Sequence, residues 1–355
     1  EVGAGGGSIV WMDKAGSLKV GPQSAGAAPG PVCYDTGGEQ PTVTDANLVL
    51  GYLNPQALAG GSVSLNADMA RTVIQQKIAT PLGRDPLETA YGIHTIANAN
   101  MMRAVKAVTT YRGRDPRDFT LFAFGGSGGV HAVSLAREME IKRVVIPPAA
   151  GVFSALGLLF SDVEHNLSRA FLSRTSQISP EELTSHYKAL EQDVLRHMGV
   201  DPREVTLRRS ADLRYVGQAF ELSLPVRSGT LGDREVRDTE RVFEDEHEKT
   251  YGHRLSGEKP IETVSLGVTG SVKTDRPDSF QMPSAERKGD LRKRVAYFGP
   301  EVGEIDTPVV TRGDLLANPR GGPLILEEYD ATAVVPPGWT ASIDPQGQVV
   351  IEVKK

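Results

Sequence analysis

Residues 119–131 read FTLFAFGGSGGVH and carry the clearest fold signal in the chain. The apolar run 119–124 predicts a short buried strand, and the glycines that follow predict a loop. A helix is expected from Val130 to Glu138, and a second strand is expected over residues 143–146, where Pro147 stops it. Alternation of strand and helix over 119–160 is typical of an α/β protein with a mostly parallel sheet.

The segments before this stretch divide into a loop-rich part and a helical part. Residues 1–60 are dense in Gly and Pro, which favours brief strands between compact loops and argues against regular helices there. A helical pattern begins near residue 63. The sequence Asp85-Pro86-Leu87-Glu88 is typical of an N-cap, an N1 proline and an N3 glutamate, and predicts a helix running to about residue 111.

The segments after residue 166 have a different composition. Charged helices are expected at 180–199 and 233–251, with strands such as 211–216 and 264–268 between them. Residues 276–295 are polar and are expected to be exposed, and the tail from 294 to 353 alternates strands with Pro/Gly turns. We therefore predict two domains, 1–165 and 166–355, the second one α+β and rich in strands.

Composition excludes several functional classes. The 355 residues include 39 Lys and Arg against 45 Asp and Glu, for a formal net charge of -6, so no global basic field favours nucleic acid or an anionic membrane. The 38 glycines indicate tight turns and close backbone approaches. A single cysteine excludes an internal disulfide. With no long apolar segment, we expect a cytoplasmic protein that binds neither nucleic acid nor membrane.

Two glycine-rich loops are candidate ligand sites. Residues 125–129 lack the Lys-Ser/Thr of a P-loop and the spacing of a dinucleotide fingerprint, which leaves two interpretations. Either a ligand approaches the bare backbone, or the glycines allow tight packing between strand and helix. Residues 3–8 form the second loop, whose N–H groups could bind an anion, although a flexible terminus would have the same composition.

Single residues near these loops allow more than one role. His131 could cap the helix, contact a nucleotide or pack in the core. Cys33 has no cationic neighbour in sequence that would activate a thiol, which favours packing. Asp45 and Asn47 could place polar groups in a site, or Thr44 and Asp45 could cap a helix. The seven histidines show no metal-ligand spacing, and the acidic run 244–248 is interpreted as a solvated helix face.

Several long segments together resemble the C-terminal half of the hydantoinase A/5-oxoprolinase family, which also contains subunits of acetone and acetophenone carboxylases. The resemblance runs nearly end to end. The segments that carry it are GAGGGSI (3–9), KVGPQSAGAAPGPVCY (19–34), PTVTDANLVLG (41–51), FGGSGGVHA (124–132), GVFSALG (151–157), RYVGQ (214–218), YGH (251–253), TPV (307–309) and PPG (336–338).

The resemblance implies part of an actin-like ATPase fold followed by a β-rich domain. It implies that Gly125, Gly126, Ser127, Gly128 and Gly129 contact adenosine, and we add Gly5 and Gly6 as phosphate-side candidates. The family's phosphate motifs lie upstream of the position matching Glu1, so the Mg²⁺ ligands are expected outside this chain and no metal or catalytic residue is assigned within it. One departure concerns Gly129, because the family usually has proline there.

The implied function is that of a component of an ATP-dependent cyclic-amide hydrolase, which phosphorylates a carbonyl oxygen to make it reactive. An alternative is a subunit of an ATP-dependent ketone carboxylase, and a third hypothesis is a structural subunit without turnover. The expected partners are an N-terminal ATPase half, in the same or a separate chain, a hydantoinase B-like subunit, and a small cyclic amide or ketone.

Overall fold

The chain folds into two compact units in the computed structural model, which describes residues 2–56, 63–276 and 292–354. Within those limits, the first unit comprises Glu1–Thr110, Asp115–Leu156 and Phe280–Lys355, and the second comprises Tyr111–Arg114 and Gly157–Ser279. No helix among the described residues is both long and apolar enough to cross a membrane.

Helices of the first unit line its two hydrophobic cores. They are α1 (Val43–Val49), α2 (Ala67–Ile74), α3 (Thr80–Leu82), α4 (Pro86–Val108) and α5 (Gly128–Glu138), and a π-helical turn (Gln75–Ala79) joins α2 to α3. The start of α4 is fixed by Asp85, whose Oδ1 accepts the N–H groups of Leu87 at 2.7 Å and Glu88 at 3.2 Å. The sequence-predicted opening of this helix is therefore confirmed.

Strands of the first unit form three sheets. β1 (Ser8–Met12) and β2 (Leu18–Ser24) make an antiparallel pair. The other strands of this unit are β3 (Leu121–Phe122), β4 (Arg143–Ile146), β9 (Arg292–Tyr297), β10 (Glu304–Val310), β11 (Arg320–Gly321), β12 (Leu324–Glu327), β13 (Thr332–Val335), β14 (Trp339–Ile343) and β15 (Val349–Val353). They form a four-stranded sheet of order β13-β12-β10-β9 and a five-stranded sheet of order β11-β14-β15-β4-β3.

The second unit packs two helices on one antiparallel sheet of order β5-β8-β6-β7. Its strands are β5 (Val163–Arg174), β6 (Val205–Tyr215), β7 (Leu222–Val226) and β8 (Ile261–Val272), and its helices are α7 (Pro180–Met198) and α8 (Asp233–Tyr251). α6 (Phe153–Phe160) carries the chain out of the first unit. Both charged helices expected from the sequence are confirmed.

Two sequence-based expectations about local structure are wrong. A regular helix, α1, lies within residues 1–60, because Thr42 and Asp45 form a reciprocal capping box that compensates for the turn-rich surroundings. The five-stranded sheet is mostly antiparallel: only β3 and β4 run parallel, since the C-terminal strand β15 inserts antiparallel beside β4. A tail remote in sequence thus supplies strands that the local pattern of 119–160 could not reveal.

The compact units group the chain by contacts, and the domain division 1–165 and 166–355 stays a prediction. The strand-rich tail after residue 292 belongs to the first unit, because β15 pairs with β4 through the register Val349↔Ile146 to Glu352↔Arg143. The polar segment 276–295 lies mostly outside the described residues, which end at 276 and resume at 292.

Candidate functional site

The loop between β3 and α5 is a tight turn that ends in the first residues of a helix. Gly125 has a φ of +87°, a conformation that strongly favours glycine. Its N–H donates to the carbonyl of Ala150 at 2.6 Å, and its own carbonyl accepts the N–H of Gly128 at 3.0 Å. α5 begins at Gly128, two residues earlier than the sequence pattern indicated.

Gly129 occupies the tightest point of this segment. A Cβ built on it would lie 2.7 Å from the carbonyl oxygen of Thr332 and 2.8 Å from the Cβ of Ala333, both in β13. At Gly125, by contrast, a Cβ would meet nothing within 4 Å, and at Gly128 the nearest atom would be 3.8 Å away. Close packing therefore accounts for Gly129, whereas space remains open above Gly125 and Gly128.

The loop of residues 3–8 is an ordered turn. The N–H of Gly5 donates to Ser8 Oγ at 3.0 Å, and the N–H of Ser8 donates to the carbonyl of Gly5 at 3.1 Å. The carbonyl of Gly6 accepts the N–H of Thr44 at 2.8 Å, which attaches the loop to the first turn of α1. The glycine run at the N-terminal end is thus a folded element that packs on a helix.

These two glycine loops meet around Gly6. A Cβ built on Gly6 would lie 2.7 Å from Thr44 Oγ1 and 3.3 Å from Ser127 Oγ. Thr44 belongs to α1, and Ser127 is the N-cap residue of α5. The structure therefore packs Gly6 against Ser127, two of the residues chosen from the sequence, and against Thr44 as well.

Asp45 stabilises the start of α1 and the turn around Cys33. Its carboxylate is fully buried and accepts the N–H groups of Cys33 at 2.8 Å, Val32 at 3.3 Å and Thr42 at 2.8 Å. The prediction that Asp45 takes part in capping a helix is confirmed, although the N-cap residue is Thr42 and not Thr44. Burial, with the nearby Asp45 carboxylate, raises the pKa of the buried Cys33 thiol, so this cysteine is protonated and packed rather than nucleophilic.

A chain of four buried polar side chains connects α1, α4 and α5. His94 Nδ1 lies 2.8 Å from Asn47 Oδ1, Asn47 Nδ2 lies 3.4 Å from His131 Nε2, and His131 Nδ1 lies 2.6 Å from Asn98 Oδ1. The two imidazoles stack with centroids 4.7 Å apart and an interplanar angle of 13°. Since both amide oxygens accept, each histidine donates from Nδ1, and Asn47 donates to His131 Nε2.

Both histidines of this network are neutral at physiological pH. Burial lowers the pKa of His131 to about 4. Burial, the neighbouring His131 and Arg137 hold the pKa of His94 well below its usual value. Of the three roles considered for His131, the structure places its side chain in the core, where it links the helix after one glycine loop to the helix after the other.

The sequence pattern missed His94, Asn98 and the hydroxyl of Thr44. His94 and Asn98 are four residues apart on α4 and directly follow the buried apolar residues Ile93 and Ala97, so they lie on the buried face of the helix. A pair of polar residues with that spacing on a predicted buried face is the signal that could have identified them. Thr44 has no comparable signal, because its position depends on how the loop of residues 3–8 folds back.

Among residues 2–56, 63–276 and 292–354, no three His, Cys, Asp or Glu side chains are grouped so that they could hold a metal ion.

Comparison with known proteins identifies the family. The Hydantoinase/oxoprolinase family model matches residues 1–167, and the Hydantoinase/oxoprolinase C-terminal domain model matches residues 173–350. The chain belongs to the hydantoinase/oxoprolinase family. The resemblance noted from the sequence is thereby confirmed.

Relatives within this family are enzyme subunits. The chain is 35% identical over 355 residues to the caprolactamase subunit alpha of Pseudomonas jessenii, with 97% of this chain and 51% of the relative covered. It is 36% identical over 376 residues to the acetophenone carboxylase gamma subunit of Aromatoleum aromaticum, with 99% and 50% covered. This family member thus spans about half the length of the curated relatives it matches.

A solved relative confirms the fold. The crystal structure of the ATP-dependent caprolactamase from Pseudomonas jessenii superimposes with a TM-score of 0.83 at 34% identity, covering 99% of this chain and 52% of that one. The mixed helix and sheet architecture of this family member is therefore that of the caprolactamase structure.

Proposed function

We propose that this chain is a component of an ATP-dependent hydrolase of cyclic amides, in which ATP phosphorylates the amide carbonyl oxygen before water opens the ring. The observation that carries the proposal is the meeting of two glycine loops around Gly6, in a chain that shares its fold and about a third of its residues with an ATP-dependent caprolactamase. Phosphoryl transfer depends mainly on positioning and on stabilising charge, which such loops can supply.

Within this proposal the two loops have separate roles. Residues 125–128 contact adenosine, because a Cβ built on Gly125 meets no atom within 4 Å and one built on Gly128 meets none closer than 3.8 Å. Residues Gly5 and Gly6 lie on the phosphate side, in a turn already fixed by Ser8 and Thr44. The buried hydrogen-bond network of His94, Asn47, His131 and Asn98 fixes α1, α4 and α5 relative to one another. The two loops are therefore already ordered before a ligand binds, so that less binding free energy is lost to ordering them.

Other parts of the assembly complete the chemistry. Mg²⁺ would offset the charge of the phosphates, and its ligands are proposed to lie in an N-terminal ATPase half. A hydantoinase B-like subunit is the proposed second partner. The relatives' names, alpha and gamma subunit, support an assembly of several chains. The assembly is proposed to act in the cytoplasm.

A second candidate function has support of its own. The identity to an acetophenone carboxylase gamma subunit, 36%, is close to the 35% identity to caprolactamase subunit alpha, which supports a ketone carboxylase as the alternative. In that reaction ATP would phosphorylate a ketone enolate oxygen, and bicarbonate would supply the new carboxyl group. The same nucleotide site serves either reaction, so the substrate decides between them.

ATP hydrolysis by the chain in assembly with the polypeptides that copurify with it separates these functions. The assembly is incubated with Mg-ATP and a panel of lactams, hydantoins and ketones, with and without bicarbonate, and released phosphate is measured. Turnover that requires a cyclic amide and no bicarbonate supports the hydrolase. Turnover that requires a ketone and bicarbonate replaces it with the carboxylase, and absence of turnover across the panel favours a structural subunit.

A further inference from the structure

Three phenylalanine side chains form an exposed group on the first unit, here called the phenylalanine cluster. Phe122 lies in β3, Phe124 follows two residues later, and Phe153 begins α6. The ring centroids are 5.4 Å apart for Phe122 and Phe153, 5.5 Å for Phe124 and Phe153, and 6.2 Å for Phe122 and Phe124. Phe122 is 42% exposed and Phe124 is 46% exposed. Contacting aromatic rings left open to water are typical of a surface that binds another polypeptide.

The cluster lies where the cover of the sheet stops. Side chains alternate along a strand, so that Ala123 is buried in the core while Phe122 and Phe124 lie on the opposite face. Phe122 is paired in parallel with Val145 of β4, which places both side chains on the same face. Val145 is buried, whereas Phe122 is exposed. The described residues therefore cover this face as far as β4 and leave β3 open.

The backbone of β3 is open along one side as well. Among the residues that the structure describes, β3 is the last strand of the five-stranded sheet. The apolar run predicts a strand over 119–124, yet pairing covers only Leu121–Phe122, followed by the bond from Ala123 N–H to the Val145 carbonyl at 2.8 Å. Proteins commonly protect such edges with charged side chains, and the run 119–124 has none. An apolar edge of this kind suits the addition of a further strand.

The position of the cluster beside the loop of residues 125–129 indicates what covers it. Phe124 directly precedes Gly125, and the Gly125 N–H donates at 2.6 Å to the carbonyl of Ala150, three residues before Phe153. A body that covers the cluster therefore adjoins the loop proposed to contact adenosine. The proposed function requires such a body, because it places the Mg²⁺ ligands in an N-terminal ATPase half.

The length of the relatives supports the same occupant. The match covers 51% of the caprolactamase subunit alpha and 50% of the acetophenone carboxylase gamma subunit, so each relative carries about as much polypeptide again outside the matched region. A second copy of this chain fits the surface less well. It would bring a second glycine loop to the nucleotide instead of the Mg²⁺ ligands that the proposed function requires.

We propose that the phenylalanine cluster and the open edge of β3 are the docking surface for the N-terminal half of the enzyme. That half adds a strand beside β3 and covers the rings with apolar side chains, so that it closes one side of the nucleotide site next to Gly125. The identity of the partner rests on the proposed function, whereas the surface rests on the exposure of the rings and on the order of the sheet.

Photo-cross-linking in the full assembly tests this surface, whether the N-terminal half belongs to the same chain or to a separate one. p-Benzoylphenylalanine is placed at position 122 or 124 and, as a control, at Phe220, which is 77% exposed and lies in the second unit. Mass spectrometry identifies the cross-linked peptides after irradiation. Positions 122 and 124 are expected to cross-link to one segment of the N-terminal half, and position 220 is expected to give no cross-link to that segment.

A charge placed in the cluster gives a second reading. Phe122→Asp is expected to lower the yield of the cross-link from position 124 about tenfold or more, because docking would bury a carboxylate without a partner. Phe220→Asp makes the same exchange of residue types outside the cluster and is expected to leave that yield unchanged. The unfolding midpoint of each variant shows whether it is folded, and the two cross-linking positions test the surface even if Phe122→Asp is unstable.

The outcomes separate this inference from the proposed function. Cross-links from positions 122 and 124 to a second copy, to another part of residues 1–355 or to a hydantoinase B-like subunit overturn the docking surface, as does the absence of cross-links. Equal yields in Phe122→Asp and Phe220→Asp overturn it too. Cross-links to the N-terminal half in an assembly that hydrolyses no ATP with any amide or ketone sustain the docking surface while the proposed function fails, and ATP-dependent amide hydrolysis without these cross-links has the opposite meaning.

Discussion

Replacement of Gly129 by alanine tests whether this glycine is required by packing. The added Cβ would lie 2.7 Å from the Thr332 carbonyl oxygen and 2.8 Å from the Cβ of Ala333. The Thr332 oxygen is backbone and the Ala333 Cβ is fixed to it, so neither can rotate away and α5 must move from β13. Overpacking of this kind typically costs about 1–3 kcal/mol of unfolding free energy.

Gly128→Ala is the matched control one residue earlier. The nearest atom to its new Cβ is 3.8 Å away, an ordinary contact distance. Because alanine is favoured over glycine in a helix, we expect this variant to be unchanged or stabilised by up to about 1 kcal/mol. The two variants therefore add the same methyl group with opposite expected signs.

Urea unfolding followed by tryptophan fluorescence measures the difference. The chain has two tryptophans, Trp11 in β1 and Trp339 in β14, and both belong to the first compact unit, which contains Gly129. The signal therefore follows that unit alone. Equal midpoints for Gly129→Ala and Gly128→Ala would refute the packing argument and return Gly129 to the ligand-approach interpretation.

Two further predictions concern buried charge and protonation. Burial lowers the native pKa of His131 to about 4 from 6.5, so the unfolded state binds more protons between these two pH values, and the unfolding free energy should fall as the pH decreases from 6.5 to 4. In His131→Gln, urea titrations at pH 4.5 and 7 should show a smaller fall in unfolding free energy than in the wild type. An identical pH dependence in both proteins would contradict the burial argument. Arg312 donates to both carboxylate oxygens of Glu328, at 2.6 and 2.7 Å, with the side chains 12% and 9% exposed. Arg312→Met should therefore lower the unfolding free energy by about 3–5 kcal/mol, because it leaves the buried Glu328 carboxylate without its partner. Arg143→Met, which breaks the exposed pair with Glu352, should lower it by less than about 1 kcal/mol. Similar unfolding midpoints for the two variants would show that the buried pair contributes little.

Local signals predicted the individual elements well. Periodicity and capping chemistry act over a few residues, and they predicted the start of α4 at Asp85 and Pro86, the charged helices α7 and α8, and the β-rich tail. Local signals did not predict features that depend on a segment remote in the sequence or on a buried hydrogen-bond network. Asp45, which closes the capping box of α1 with Thr42, also accepts the N–H of Cys33, which lies 12 residues away.

The candidate site shows the same division. Sequence singled out the two glycine loops as chemically interesting, because backbone without Cβ atoms is readable from residue type alone. Only the folded chain decided that Gly6 packs against both Thr44 and Ser127. It likewise decided that His131 is buried against His94 and that Gly129 serves packing against β13.

The amino-acid sequence by itself determined the family, the positions of most helices and strands, and the loops that hold the candidate site. The tertiary structure decided the antiparallel insertion of β15 beside β4, the attachment of the tail to the first unit, and the grouping of Thr44, Ser127 and Gly6. The physical reason is range: propensity and capping act within a few residues, whereas strand pairing and side-chain burial join segments that are far apart in the chain.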